Sequence, residues 1–156
     1  MKQRRILLFD DDYESMAPLK LFLEEVLGFA VVLTAQADIG EWLAQERFDL
    51  LCIDLMIHPV SLNGELEEVT NLHFTGVNWQ QTGLALLERI RQGHYHAAAG
   101  AGTATSVPVI VLSAVANQSI AELTVEDDPW TEYLEKPFDL AEMVATMERL
   151  LARKTD

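Results

Sequence analysis

The chain has 156 residues, of which 49% are hydrophobic and 23% are charged. This length is typical of one domain, and the composition is that of an ordinary globular protein. The 25 acidic residues outnumber the 11 Lys and Arg residues, which gives a net charge of −14. Because nucleic acids and anionic membranes are bound by basic surfaces, this balance excludes both as partners of the chain.

Two further features concern the compartment. The apolar run nearest the N-terminus covers only residues 6–9, which is too short for a signal peptide or a membrane span, so we expect a cytoplasmic location. The single cysteine, Cys52, cannot form an internal disulfide. It stands in an apolar run, and we expect it in the core.

Short apolar runs alternate with segments of helical apolar spacing along the chain. The runs predict strands at residues 6–9, 29–33, 50–53, 107–112 and 133–134. The helical spacing predicts helices around residues 19–27, 39–47, 84–90, 117–125 and 140–151. Pro18 is expected in the first turn of the first helix, and Gly28 at its end. Residues 93–106 are rich in Ala, Gly, Ser and Thr and are expected to form a flexible loop.

Such alternation predicts a parallel sheet with helices on both faces. Polar residues follow the predicted strands: Asp10 and Asp11 the first, Asp54 the third, Ser113 the fourth and Lys136 the fifth. Ligands bind at the carboxyl ends of the strands in such sheets, where the strand order reverses. With the order 2-1-3-4-5, the first and third strands lie side by side at that point. We therefore expect these five residues to form one site.

The residue types indicate phosphoryl transfer. Two carboxylates 4 Å apart repel by about 4 kcal/mol at an effective dielectric near 20, so the cluster needs a cation. Mg²⁺ prefers one or two carboxylates together with waters and phosphate oxygens. A lysine and a serine hydroxyl suit the oxygens of a phosphoryl group. Each element alone has a simpler explanation, and the run from Asp10 to Asp12 also suits a helix N-cap.

The sequence resembles the receiver domains of response regulators over essentially its whole length. The resemblance is carried by the motifs at residues 6–12, 48–54, 107–114 and 133–138. It implies a flavodoxin-like fold: a doubly wound five-stranded parallel sheet of order 2-1-3-4-5 with five helices. It also implies a single receiver domain over residues 1–156 that is no turnover enzyme, and we expect no output domain.

The resemblance further implies roles for the site residues. Asp54 would accept a phosphoryl group from a histidine kinase or a phosphotransfer protein. Asp10 through water and Asp11 directly would hold Mg²⁺, and the backbone carbonyl of Met56 would complete the protein ligands. Lys136 would pair with the phosphoryl group.

The resemblance also implies a switch. Ser113 would move toward the phosphoryl group and Tyr133 would rotate inward. The face formed by the fourth predicted helix, the fifth strand and the last helix would then change its downstream protein partner. Two positions that tune phosphate lifetime in the family hold the apolar residues Met56 and Val115, which cannot orient water. We therefore predict self-dephosphorylation on the order of hours.

The chain departs from the family after Asp54. The glycine that usually follows soon after the acceptor corresponds to Gly83, so residues 58–82 form an inserted loop. We hypothesise that this insertion is a flap or a partner contact beside Asp54, because long loops in compact domains are usually functional or disordered. Unchanged phosphorylation kinetics and partner binding after deletion of residues 60–80 would contradict this hypothesis.

Two alternatives remain open. One is a receiver-like adaptor that is never phosphorylated, which the altered loop allows. The other is a phosphatase of the haloacid dehalogenase type, which would use the Asp10–Asp12 run with Ser113 and Lys136. That reading leaves Asp54 without a role.

Overall fold

The structure, a computed structural model, describes residues 3–10, 12–34, 39–54, 82–95, 102–113, 129–136 and 138–155. These ranges contain five strands and four helices. In chain order they are β1 (Arg5–Phe9), α1 (Tyr13–Glu25), β2 (Ala30–Thr34), α2 (Ile39–Gln45), β3 (Leu50–Asp54), α3 (Thr82–Arg91), β4 (Val109–Ser113), β5 (Thr131–Glu135) and α4 (Leu140–Thr155). No helix in this part of the chain is long and apolar enough to cross a bilayer.

The five strands form one parallel sheet in the order β2-β1-β3-β4-β5. The predicted sheet and its strand order are therefore confirmed. The predicted helix at residues 117–125 lies outside the described residues. The inserted loop lies outside them as well, except for Thr82, which is the first residue of α3.

The core has two layers because successive side chains of a strand point to opposite faces of the sheet. On one face, residues such as Leu8, Cys52 and Leu112 pack against α1 and α4. On the other, residues such as Phe9 and Ile53 pack against α2 and α3. Cys52 is fully buried, as predicted. Helices thus cover both faces of the described sheet, which explains why its central strands are apolar except at one end residue each.

Helix α1 begins earlier than the sequence suggested. The Asp12 carboxylate accepts a hydrogen bond from the backbone N–H of Ser15 at 3.2 Å, so Asp12 is the N-cap and Tyr13 the first helical residue. The expected place of Pro18 in the first turn is therefore wrong: it lies in the second turn. The predicted end is confirmed, since Gly28 follows the helix with a φ of 71°.

The segment at residues 93–106 also differs from expectation at its described ends. Tyr95 and Thr103 are buried. The Thr103 N–H donates to the carbonyls of Leu43 (2.8 Å) and Tyr95 (3.0 Å), and its hydroxyl donates to Leu43 at 2.7 Å. Thr103 therefore satisfies a carbonyl near the C-terminal end of α2, where helices leave such groups without partners. A flexible loop is the wrong description for these ends.

Gly102 makes this close approach possible. Its φ is 80°, and a Cβ there would overlap the carbonyl oxygen of Tyr95 and lie 2.7 Å from that of Ala44. Only glycine lets two backbones approach so closely in this conformation. Gly102 therefore serves packing, which composition alone did not reveal.

We predict that Gly102→Ala destabilises the protein by about 3 kcal/mol or more, because it adds steric overlap to a left-handed backbone. Gly28→Ala is the matched control: Gly28 has a φ of 71°, but a Cβ there meets nothing within 4 Å. Its cost should be only about 1–2 kcal/mol. Urea unfolding followed by circular dichroism measures both. Equal losses of stability in the two variants would show that residue 102 does not lie in close contact with the backbone of α2.

Candidate functional site

Two carboxylates lie side by side at the carboxyl edge of the sheet. Phe9 of β1 is paired with Ile53 of β3, so Asp10 and Asp54 occupy the next position on neighbouring strands. Asp10 still belongs to the sheet, because its N–H donates to the Thr34 carbonyl at 3.1 Å. This is the point where the strand order reverses, as the sequence predicted.

Lys136, directly after β5, reaches both carboxylates. Its Nζ lies 2.6 Å from Asp10 Oδ2 and 3.5 Å from Asp54 Oδ2. Asp10 is fully buried, and the side chains of Asp54 and Lys136 are only 9% and 19% exposed. The structure thus brings together Asp10, Asp54 and Lys136, three of the predicted site residues.

Both oxygens of Asp10 are engaged. Lys136 donates to Oδ2, and the backbone N–H of Asp12 donates to Oδ1 at 2.9 Å. The Asp12 side chain meanwhile binds Ser15, and these hydrogen bonds lower the Asp12 pKa. The sequence run therefore serves two purposes: Asp12 caps α1, as the N-cap reading suggested, while Asp10 belongs to the charged site.

The charges explain how the site is stabilised. Burial acts to lower the Lys136 pKa, but the hydrogen bond to Asp10 and the charge of Asp54 outweigh it, so the pKa is raised above its usual 10.5. A lysine whose pKa is raised on folding contributes its full stabilisation at pH values below its pKa in the unfolded chain. This stabilisation is lost as the pH rises through its pKa in the folded protein. Two carboxylates against one ammonium still leave one negative charge in excess.

Cys52 adds no charge to the site. Its thiol is buried two residues before Asp54 on the same strand. Burial raises the pKa of this thiol well above its normal range, and the charge of Asp10 raises it further. The thiol therefore stays protonated at neutral pH and is no nucleophile.

The other predicted site residues are described less fully. Asp11, Met56 and Val115 lie outside the described residues. Ser113 is the last residue of β4, where its backbone pairs with Glu135 of β5. Tyr133 is half-buried against the core on the α2 and α3 side. Within the described ranges, no group of three His, Cys, Asp or Glu residues stands ready to bind a metal ion.

The described residues nevertheless fit a divalent cation. Asp10 and Asp54 supply two adjacent carboxylates, the number that Mg²⁺ commonly takes from proteins. Their excess negative charge in a poorly hydrated position favours a cation nearby.

A cavity beside the site was not predicted. It has a volume of about 500 Å³ and lies between α1 and the segment that follows β5. Its lining includes Lys136 and, on the apolar side, Leu19 and Phe138. A pair of apolar residues on elements far apart in sequence carries no periodic signal, so sequence reasoning had no means to find it.

We predict that Lys136→Met lowers the free energy of unfolding at pH 7 by about 2–4 kcal/mol, because it leaves two neighbouring buried carboxylates without their ammonium. The difference from the wild type should shrink at pH values above the raised Lys136 pKa, where the wild-type lysine is also neutral. The control is Lys20→Met. Its side chain and that of its ion-pair partner Glu24 are each 35% exposed, and the loss of such a pair within one helix should cost less than about 0.5 kcal/mol. Equal losses in urea unfolding would contradict the role of Lys136.

Solved structures share this fold. No family model matches the sequence, and no curated protein matches it. Among solved structures, the Francisella response regulator 1452 receiver domain is 20% identical, with a TM-score of 0.66 over 97% of this chain and 99% of that one. A two-component response regulator from Clostridium difficile is 22% identical, with a TM-score of 0.66 over 99% and 100% of the two chains.

A third relative includes a metal ion. The receiver domain of a sensor histidine kinase from Pseudomonas aeruginosa, solved with magnesium coordinated in its active-site cleft, is 21% identical, with a TM-score of 0.62 over 97% of this chain and 99% of that one. All three structures are receiver domains or response regulators, and they match this chain almost end to end. The chain therefore has the fold of response regulator receiver domains.

Proposed function

We propose that the chain is a phosphoacceptor receiver domain in which Asp54 takes a phosphoryl group from a histidine kinase or a phosphotransfer protein. The observation that supports this most strongly is the placement of Lys136, whose ammonium lies 2.6 Å from Asp10 and 3.5 Å from Asp54 at the carboxyl edge of the sheet. An ammonium between a buried carboxylate and a nearly buried one suits an incoming phosphoryl oxygen.

In this proposal Asp54 is the nucleophile. A carboxylate oxygen of Asp54 forms a bond to phosphorus while the bond from phosphorus to the donor breaks, and the electron pair leaves with the donor. Lys136 stabilises negative charge on the phosphoryl oxygens. Asp10 holds the lysine in place, since its own position is set by the Asp12 N–H and by the sheet.

Mg²⁺ is the proposed cofactor. Asp10, Asp11 and Asp54, with the backbone carbonyl of Met56, would hold it. When bound, the ion neutralises charge on the carboxylates and the phosphoryl oxygens. The excess negative charge of the site supports this assignment, as does the magnesium in the cleft of the structural relative from Pseudomonas aeruginosa.

The proposed output is a change of partner protein. Ser113 lies on β4, directly after Leu112, the residue that pairs with Asp54. Tyr133 lies on β5, the edge strand of the sheet. We propose that they respond to phosphorylation and alter the face formed by β5, α4 and the predicted helix at residues 117–125. Such a response shifts an existing equilibrium of the domain.

The two alternatives receive less support. A phosphatase of the haloacid dehalogenase type gave Asp54 no role, whereas Asp54 lies beside Asp10 and 3.5 Å from Lys136. An adaptor that is never phosphorylated needs no charge cluster of this kind. The observed cluster is costly to bury and therefore favours an active acceptor.

We expect incubation with Mg²⁺ and acetyl phosphate to add one phosphoryl group to the wild type, measured by intact mass. The mass change should be absent in Asp54→Asn. Asp49→Asn is the control: Asp49 precedes the same strand but accepts a hydrogen bond from the Arg5 N–H, outside the site. An unchanged wild-type mass, also with a partner kinase, would favour the adaptor.

Once labelled, the protein should lose its phosphoryl group over hours, and loss within seconds would contradict the proposed effect of Met56 and Val115.

A further inference from the structure

Asp12 lies between the charged site and helix α1, and each of its polar groups makes a hydrogen bond. Its backbone N–H donates to Asp10 Oδ1 at 2.9 Å, and its backbone carbonyl accepts from the Met16 N–H at 3.2 Å. Its carboxylate accepts from the Ser15 N–H at 3.2 Å and from the Ser15 hydroxyl at 2.5 Å. Both the side chain and the backbone of Asp12 are therefore held in place.

The same contacts connect the site to the core of the domain. Met16 and Leu19 of α1 are buried against the sheet, which fixes the first turns of this helix. The Asp12 carboxylate binds its own backbone to the helix through Ser15. The N–H of an N-cap residue has no partner within its helix, so the Asp12 N–H is available to the Asp10 carboxylate.

The Asp10 carboxylate depends on this N–H. Its Oδ1 binds the Asp12 N–H, and its Oδ2 lies 2.6 Å from the Lys136 ammonium. Because Asp10 is fully buried, water does not readily replace a lost hydrogen bond there. A change in the Asp12 backbone would therefore move the carboxylate and the lysine that it holds. A displacement of about 1 Å can slow a catalysed step about a hundredfold.

We propose that Asp12 is a positioning residue for phosphoryl transfer: its side chain, held by Ser15, directs its backbone N–H to Asp10 and so sets the carboxylate that holds Lys136. Asp12 acts through Asp10 and needs no contact with the phosphoryl group. This inference rests on the proposed function of Asp54. It gives an exposed N-cap side chain a role beyond the stability of its helix.

The test compares Asp12→Ala with Asp12→Asn. Asparagine accepts hydrogen bonds at an N-cap about as well as aspartate, whereas alanine accepts none. Labelling by acetyl phosphate with Mg²⁺, measured by intact mass, should be about tenfold slower in Asp12→Ala, a loss typical of removing a group that orients a site residue. Asp12→Asn should be labelled at nearly the wild-type rate. Affinity for Mg²⁺, measured by calorimetry, should follow the same pattern.

The matched control is Asp139→Ala, which removes a similar cap from α4. The Asp139 carboxylate accepts from the Ala141 N–H at 2.9 Å, and its carbonyl accepts from the Met143 N–H at 3.0 Å. Among the hydrogen bonds and ion pairs of the described residues, none joins Asp139 to Asp10 or Lys136. Both alanine variants should lower the urea midpoint by similar amounts, but only the variant at the start of α1 should slow labelling.

A further measurement does not depend on phosphorylation. Hydrogen exchange of the residue-12 amide, followed by NMR, should be several-fold faster in Asp12→Ala than in Asp12→Asn. This amide has no partner within α1, so its protection comes from the bond to Asp10. Equal exchange in the two variants would contradict the proposed link between the cap and the site.

The outcomes separate this inference from the proposed function. Wild-type labelling rates in both Asp12 variants would show that the residue only caps the helix, and would overturn the inference. Equal losses in both variants would assign the effect to the charge of Asp12, and would overturn it as well. Absence of labelling in the wild type would overturn Asp54 as the acceptor, and Mg²⁺ affinity and amide exchange would then decide the positioning role by themselves.

Discussion

The interaction on which the site depends is the ion pair that joins Lys136 to two carboxylates across the end of the sheet. Lys136 follows β5 while Asp10 follows β1, and β3 and β4 lie between them. Neighbouring strands are roughly 4.8 Å apart, so the two chain positions are separated by roughly 14 Å along the sheet. The segment after β5 must therefore turn over the sheet edge to bring Nζ within 2.6 Å of Asp10. That turn also forms one wall of the cavity.

The opposite edge of the sheet is held by a different set of contacts. Arg91 at the end of α3 donates to the carbonyls of Thr105 and Val107 and to the Thr131 hydroxyl. It thereby joins a helix, the loop before β4 and the start of β5. Arg5 at the start of β1 pairs with Glu46. These contacts lie at the end of the sheet away from the charged site, and the register between the strands is held by their backbone pairing.

Sequence reasoning succeeded where one local pattern had one structural solution. The apolar runs predicted all five strands, and the signal was strongest for the central strands, which are buried on both faces. It failed where a residue's role depends on a neighbour distant in the chain. Pro18 was placed one turn early because the hydrogen bond from the Ser15 N–H to Asp12 sets the helix start. The ends of the 93–106 segment were expected to be flexible, but Gly102 and Thr103 pack closely against the backbone of α2. Contacts between backbones leave no pattern in the sequence of side chains.

The sequence by itself determined the fold class and the grouping of Asp10, Asp54 and Lys136 at one edge of the sheet, while the strand order was implied by the resemblance to receiver domains. The physical reason is that alternating strands and helices of this length allow few arrangements, and parallel strands end on the same side. Only the tertiary structure decided that Lys136 lies closer to Asp10 than to Asp54, that Asp12 faces α1, and that a cavity opens beside the lysine. These features depend on side chains from elements up to 126 residues apart, and their distances follow from packing.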